Sequence, residues 1–116
     1  MDAESYYNLG TKYAVKGEYE NAIFNLTKAL EINLGHVKAY NNRGLTYYRK
    51  GEYERAIEDF NKTLELDPMY AGAYGNRGLA YYWKGEYDHA ISNFNKVLEM
   101  NPMDERTYAN LGDAYY

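Results

Sequence analysis

Cysteine is absent from the sequence, which excludes disulfide staples, thiolate metal sites and cysteine nucleophiles together while leaving the redox compartment open. An excess of basic charge is also missing. Thirteen Lys and Arg stand against 17 Asp and Glu, a net charge of −4, so no chain-wide positive field exists to hold phosphate backbones or anionic lipid. Neither nucleic acid nor a membrane is an expected partner. No run approaches the roughly 18 apolar residues that span a bilayer, and Met1 to Tyr13 has no basic start leading into an apolar stretch. A cytoplasmic location is the expectation. Proline occurs twice, tryptophan once and histidine twice. What the chain does have is 46% hydrophobic and 26% charged residues over 116 positions, the composition of one folded domain. It also has 16 tyrosines against three phenylalanines, a bias towards rings that bury a flat body and keep a polar tip.

Those tyrosines are periodic. Tyr6, Tyr40, Tyr74 and Tyr108 stand 34 residues apart, as do Tyr13, Tyr47, Tyr81 and Tyr115, and Gly10, Gly44, Gly78 and Gly112. Lys-Gly-Glu-Tyr recurs at Lys16–Tyr19, Lys50–Tyr53 and Lys84–Tyr87, each followed by Ala-Ile. A fixed period of this length marks a repeat architecture. The units are 3–36, 37–70 and 71–104, with 105–116 restarting a fourth.

Each unit reads as two helices. Tyr40, Arg43, Gly44 and Tyr47 share one helical face, and Tyr53, Ala56, Ile57, Phe60 and Leu64 share another. Gly51 suits the left-handed residue that ends a helix, with Lys50 in the last turn. Asp67-Pro68 and Asn101-Pro102 stop the second helices, since proline cannot continue the hydrogen-bond ladder. A glycine inside a helix costs about 1 kcal/mol against alanine. Its recurrence at 10, 44, 78 and 112 therefore implies close approach to a partner helix. Tyr40, Tyr47, Tyr74 and Tyr81 are expected in the core.

This pattern, an aromatic, Gly four residues on, Tyr three further, then Gly-x-Tyr-x-x-Ala, an aromatic and a closing Pro, resembles the tetratricopeptide repeat. The resemblance covers essentially the whole chain, as a single domain of three repeats and a final helix 105–116. It implies an all-α, right-handed superhelical solenoid of antiparallel hairpins, about seven helices, whose first helices line a concave groove that receives an extended peptide or a partner's helix. Two departures stand out: Leu34-Gly35 replaces the closing Pro in unit one, and Leu26 stands where later units have Phe60 and Phe94.

If the glycine face packs inward, Lys38, Asn41, Asn42, Leu45, Tyr48 and Arg49 lie on the neighbouring stripe. Across units the stripe becomes ladders: Asn8, Asn42, Asn76 and Asn110; Tyr48, Tyr82 and Tyr116; and Thr11, Leu45, Leu79 and Asp113. An amide offers donors and an acceptor on one arm and so can hold an extended backbone whatever its side chains. The asparagines are similar to the ladder in the superhelical repeats of O-linked N-acetylglucosamine transferases. They equally suit bonds between neighbouring helices, or simple solvation. Three or four such bonds at about 0.5–1.5 kcal/mol each barely offset an association cost of at least ~4 kcal/mol. Binding on the order of micromolar or weaker follows, with Tyr48, Tyr82 and Trp83 adding apolar contact unless those rings only thicken helix packing.

The carboxylate clamp of repeats that bind heat-shock chaperone tails uses Lys, Asn and Arg at places where this chain has Tyr7, Thr11, Asn42, Gly72 and Asn76. Only Asn42 matches, so a terminal carboxylate would lack charge-assisted partners. Lys38, Arg49, Arg106, Glu4 and Asp113 give the groove mixed charge.

No catalytic, cofactor or metal site is expected. His36 and His89 are far apart and read as solvated surface residues, Glu58-Asp59 as an outer charged face, and Gly72-Ala73-Tyr74-Gly75 lacks the lysine of a phosphate loop. RNA-reading repeats would need basic groove positions that are missing. The final helix repeats Tyr108, Leu111 and Tyr115 without polar replacements, so an alternative reading is self-association through that uncapped face.

Overall fold

The computed structural model describes residues 1–115, and among them it contains seven helices and no strand. They are α1 (Ala3–Val15), α2 (Tyr19–Ile32), α3 (Val37–Lys50), α4 (Tyr53–Leu66), α5 (Ala71–Lys84), α6 (Tyr87–Met100) and α7 (Glu105–Tyr115). None is long and apolar enough to cross a membrane.

Two recurring turns make the hairpins. Within a unit, Gly17, Gly51 and Gly85 adopt φ of 79°, 87° and 88°, the left-handed region that closes a helix without a Cβ penalty. Between units, Asn33, Asp67 and Asn101 leave the helix in extended or near-extended backbone. The Asn33 Oδ1 accepts from the Gly35 N–H at 3.0 Å, and the Asp67 Oδ1 from the Met69 N–H at 3.1 Å. This side-chain turn is common to both, so the unit that lacks proline bends as the next one does.

The recurring glycines are contact points. A Cβ on Gly10 would lie 2.8 Å from Leu26 Cγ, on Gly44 2.7 Å from Phe60 Cε1, and on Gly78 2.5 Å from Phe94 Cε1. Leu26, Phe60 and Phe94 are essentially inaccessible to water, and with Ala22, Ala56 and Ala90 they form the centre of each hairpin. Of the tyrosines expected in the core, only Tyr40 is buried. Tyr47, Tyr74 and Tyr81 are half-buried, because their rings cover the hairpin cores from the side rather than filling them.

Hairpins stack through α2 on α3, α4 on α5 and α6 on α7. First helices also touch across units, α1 with α3, α3 with α5 and α5 with α7, whereas the second helices do not meet one another among the described residues. The stack is therefore shorter along its first-helix side and bends towards it. Ion pairs tie the outer edge: Lys50 reaches back to Glu20 and Lys84 to Glu54, while each also meets the glutamate after its turn, Glu52 at 2.8 Å and Glu86 at 2.6 Å. The Glu20 carboxylate, then Glu52, raises the Lys50 ammonium above its ordinary range, and the lysines lower Glu52 and Glu86. The repeated Lys-Gly-Glu-Tyr thus serves both the hairpin turn and the junction with the preceding unit.

A polar joint also crosses the first two junctions. Arg43 donates from Nε and Nη2 to the two Asp59 oxygens at 2.9 and 2.8 Å, and from Nη1 to Thr27 at 3.2 Å. Arg77 in the next unit bonds Asn93 at 2.7 Å and Asn61 at 2.8 Å. Asp59 is thus buried inside a joint, not part of an outer charged face. Its neighbour Glu58 does face solvent.

His36 corrects a second expectation. It caps α3: its Nδ1 accepts from the Ala39 N–H at 3.2 Å, its Nε2 lies 2.8 Å from Glu4, and its ring sits 4.7 Å from that of Tyr7. The side chain is 10% exposed, whereas His89 is open to solvent beside Tyr81.

Candidate functional site

The inner side of the bend is walled by α1, α3, α5 and α7, and the asparagine ladder runs along it unevenly. Asn8 is exposed. Asn42 donates from Nδ2 to the Tyr7 hydroxyl and to Thr11 Oγ1, both at 3.1 Å, so this amide joins α3 to α1. Asn41, expected beside it on the groove, is instead buried, with its Oδ1 unpartnered, because the helix turns that position towards α4. Asn76 and Asn110 behave differently. Both are half-buried, neither amide is bonded to the protein among the described residues, and both line one recess between α5 and α7.

That recess, about 190 Å³, exists because α5 has Gly72 and Gly75 where α3 has Lys38 and Asn41. Without those side chains Val97 of α6 forms part of its lining, alongside Leu79. Arg106 and Asp104 stand at one edge, with Asp104 also accepting from the Thr107 N–H at 3.1 Å. Next to it, Leu79, Tyr82, Trp83 and Phe94 enclose a smaller slot of about 90 Å³, edged by Asn110 and Asp113. The two share Leu79 and Asn110 and form one continuous trough: amides at one end, rings at the other.

The remaining groove candidates divide by burial. Lys38 and Arg49 are exposed. Leu45 and Tyr48 are half-buried against the Phe60 cluster, and Tyr48 lies 5.7 Å from the Tyr53 ring, which fits hairpin packing. Burial pushes the Tyr48 hydroxyl up, against a hydrogen bond from Trp83 that lowers it. Tyr82 lies 5.5 Å from Tyr87 and edge-on to Trp83 at 5.2 Å, while Trp83 itself remains 59% exposed. Tyr116, the last rung of the tyrosine ladder, lies outside the described residues. Sequence spacing found the asparagines but missed Gly72 and Gly75, whose sign was the loss of side chains at two ladder-adjacent positions of one unit.

On the final helix, Thr107, Leu111 and Ala114 turn into α6, and Leu111 packs on Ala90 and Phe94. Leu111 is thus no part of an open self-association face. Tyr108 and Tyr115 are 55% and 66% exposed. A larger hollow, about 520 Å³, opens on the second-helix side around Arg77 and Lys96, but charged side chains line it and it is shallow.

The family model described as tetratricopeptide repeat matches residues 3–35, 37–70 and 71–104. The chain belongs to the tetratricopeptide repeat family. No curated protein sequence matches it. Among solved structures it is similar to the first such domain of Spaghetti (RPAP3) bound to the HSP90 peptide SRMEEVD, with 26% identity over 98% of this chain and 90% of that one and a TM-score of 0.95. The second domain of human RPAP3, in complex with the HSP70 peptide SGPTIEEVD, is 26% identical over 98% and 95%, with a TM-score of 0.93. MamA is 31% identical over 97% of this chain and 66% of its own length, with a TM-score of 0.94. The tetratricopeptide fold read from the sequence agrees with these findings.

Proposed function

We propose that the chain is a protein-interaction module that holds an extended peptide along the inner side of its bend, chiefly in the α5–α7 trough. The carrying observation is the pair of half-buried, unengaged amides, Asn76 and Asn110, facing a recess that Gly72 and Gly75 leave open. Amides so placed can bond the N–H and C=O of a strand-like backbone. The adjoining slot of Leu79, Tyr82 and Trp83 then receives one apolar side chain, where most of the affinity arises. The RPAP3 domains, of the same shape, are bound to peptides ending in EEVD, which supports the peptide-binding reading. The ligand here differs in chemistry. Tyr7, Thr11, Gly72 and Asn76 supply no cation for a terminal carboxylate, and Asn42 is already tied to α1.

The test is peptide display against the immobilised chain, followed by titration of the selected peptide and of SRMEEVD. The selected peptide is expected to bind at about micromolar strength and to weaken about tenfold or more with Asn76→Ala/Asn110→Ala. SRMEEVD is expected not to compete. Undiminished binding by the double variant would remove the amides from the site.

A further inference from the structure

Each hairpin has one buried polar residue on its second helix, Asn25, Asp59 or Asn93, and sixteen positions earlier stands Leu9, Arg43 or Arg77. Charge is matched at the first two of these pairs. Leu9 goes with a neutral amide and Arg43 with a carboxylate, but Arg77 goes with the amide of Asn93. Arg43 gives both Nε and Nη2 to Asp59, whereas Arg77 gives Nε to Asn93 at 2.7 Å and Nη1 to Asn61 at 2.8 Å. Its Nη2 has no partner among the described residues. Asn93 cannot serve it, because its Nδ2 is itself a donor, bonded to the His89 carbonyl at 2.7 Å. Among the described residues Arg77 is the one half-buried Lys or Arg with no carboxylate within 4 Å. Arg43 draws its partners from its own hairpin and the preceding one, so a unit stacked on α7 would bring no counter-charge to Arg77.

We infer that Arg77 makes the outer hollow of the third hairpin an anion-binding site, separate from the trough, whose ligand is a carboxylate on an acidic segment of a partner protein. The guanidinium is already positioned, its carbon lying 5.4 Å from the centre of the Tyr74 ring, and both residues line the hollow of about 520 Å³. The second hairpin shows which ligand suits it: there the same guanidinium takes a planar carboxylate on two hydrogen bonds. Local charge narrows the choice further. Lys96 and Glu99 on the hollow pair with each other at 3.3 Å, which leaves Arg77 and the more distant Asp88. A single negative charge meets Arg77 on favourable terms, while a phosphate dianion is repelled twice as strongly by Asp88.

The probe is the blocked peptide N-acetyl-Ala-Glu-Ala-amide, with its Ala-Gln-Ala counterpart and inorganic phosphate as comparisons. Each is titrated into the full chain at low salt and followed by NMR of the Arg77 Nε–H and of the backbone amides of α5 and α6. The glutamate peptide is expected to saturate these signals in roughly the millimolar range, as one partly exposed ion pair allows. The glutamine peptide should leave them in place, and phosphate should bind more weakly than the glutamate peptide. Asn93→Asp supplies the counter-charge from within, as Asp59 does for Arg43, and should abolish the peptide shifts. Arg77→Leu restores the neutral pairing of Leu9 with Asn25 and should abolish them too. Both variants copy a pairing that the chain already folds with, so their thermal melts should stay cooperative. Asn76→Ala/Asn110→Ala should change nothing, which keeps this site's test apart from that of the trough. The proposal is overturned by the absence of saturation at about 100 mM glutamate peptide. Equal shifts with the glutamine peptide, tighter binding of phosphate, or binding that survives Asn93→Asp would overturn it as well.

Discussion

Arg43 and Asp59 form a two-pronged ion pair at 2.9 and 2.8 Å, with side chains only 20% and 6% exposed, inside the second hairpin, from which Arg43 also reaches Thr27 of the first. Removing one partner of such a pair strands the other charge. Asp59→Ala is expected to cost about 3–5 kcal/mol in urea unfolding. Asp59→Asn should cost less, since it reproduces the Arg77–Asn93 arrangement that the third hairpin already uses.

Burial raises the Asp59 carboxyl above its ordinary 3.8, and the hydrogen bond and charge of Arg43 offset this only in part. On the Arg43 side burial opposes the charge, while Asp59 holds it in place and raises it. For an acid with a raised folded-state value, the folded chain binds more protons than the unfolded one between the two values. The stability that protonation lends is present below 3.8 and lost as pH rises through the folded-state value. Wild type should therefore lose stability relative to Asp59→Asn on going upward through that window, read from paired denaturant titrations. A flat difference would contradict the desolvation account.

The glycines make a sharper contrast. Gly44→Ala and Gly78→Ala drive a Cβ to within 2.7 and 2.5 Å of rings that have no room to retreat, for an expected loss of about 1–3 kcal/mol. Gly112→Ala meets nothing among the described residues and should gain roughly 0.5–1 kcal/mol from helix propensity alone. Thermal melts of the three variants would order them directly.

Two members of the asparagine ladder should part ways. Asn42→Ala removes bonds to Tyr7 and Thr11 and is expected to destabilise the chain by about 1–3 kcal/mol. Asn76→Ala should leave the unfolding midpoint unchanged and register only in peptide affinity.

The cap on α3 gives a further check. His36→Ala removes the acceptor of the Ala39 N–H and the contact with Glu4, with an expected loss of about 0.5–2 kcal/mol in unfolding experiments. Retention of full stability would reduce His36 to a bystander.

The hairpin order is legible in the sequence because helix-ending residues recur in phase: Gly17, Gly51 and Gly85 at one turn, Asn33, Asp67 and Asn101 at the other. Local chemistry is enough there. Asp59 reads wrongly because its inward turn depends on Arg43, a contact between helices that period counting does not register. Asn41 and Asn42 are adjacent and chemically identical, yet one is buried against its own hairpin and the other bonds the preceding unit. A rotation of about 100° per residue separates those fates. Leu111 shares its period with Tyr108 and Tyr115, and which of them meets α6 follows from the angle at which α7 lands. The trough escapes a search for chemical side chains because two glycines make it by having none.

Among the described residues each helix touches its neighbours in sequence, and only the first helices also touch the corresponding helix of the next hairpin. Tension applied at the two ends would accordingly find no girdle spanning the whole body. The chain would yield hairpin by hairpin, from an extremity inward, each release giving its own step in a pulling trace. A bound strand lying across α5 and α7 would act as a splint over the last of those joints.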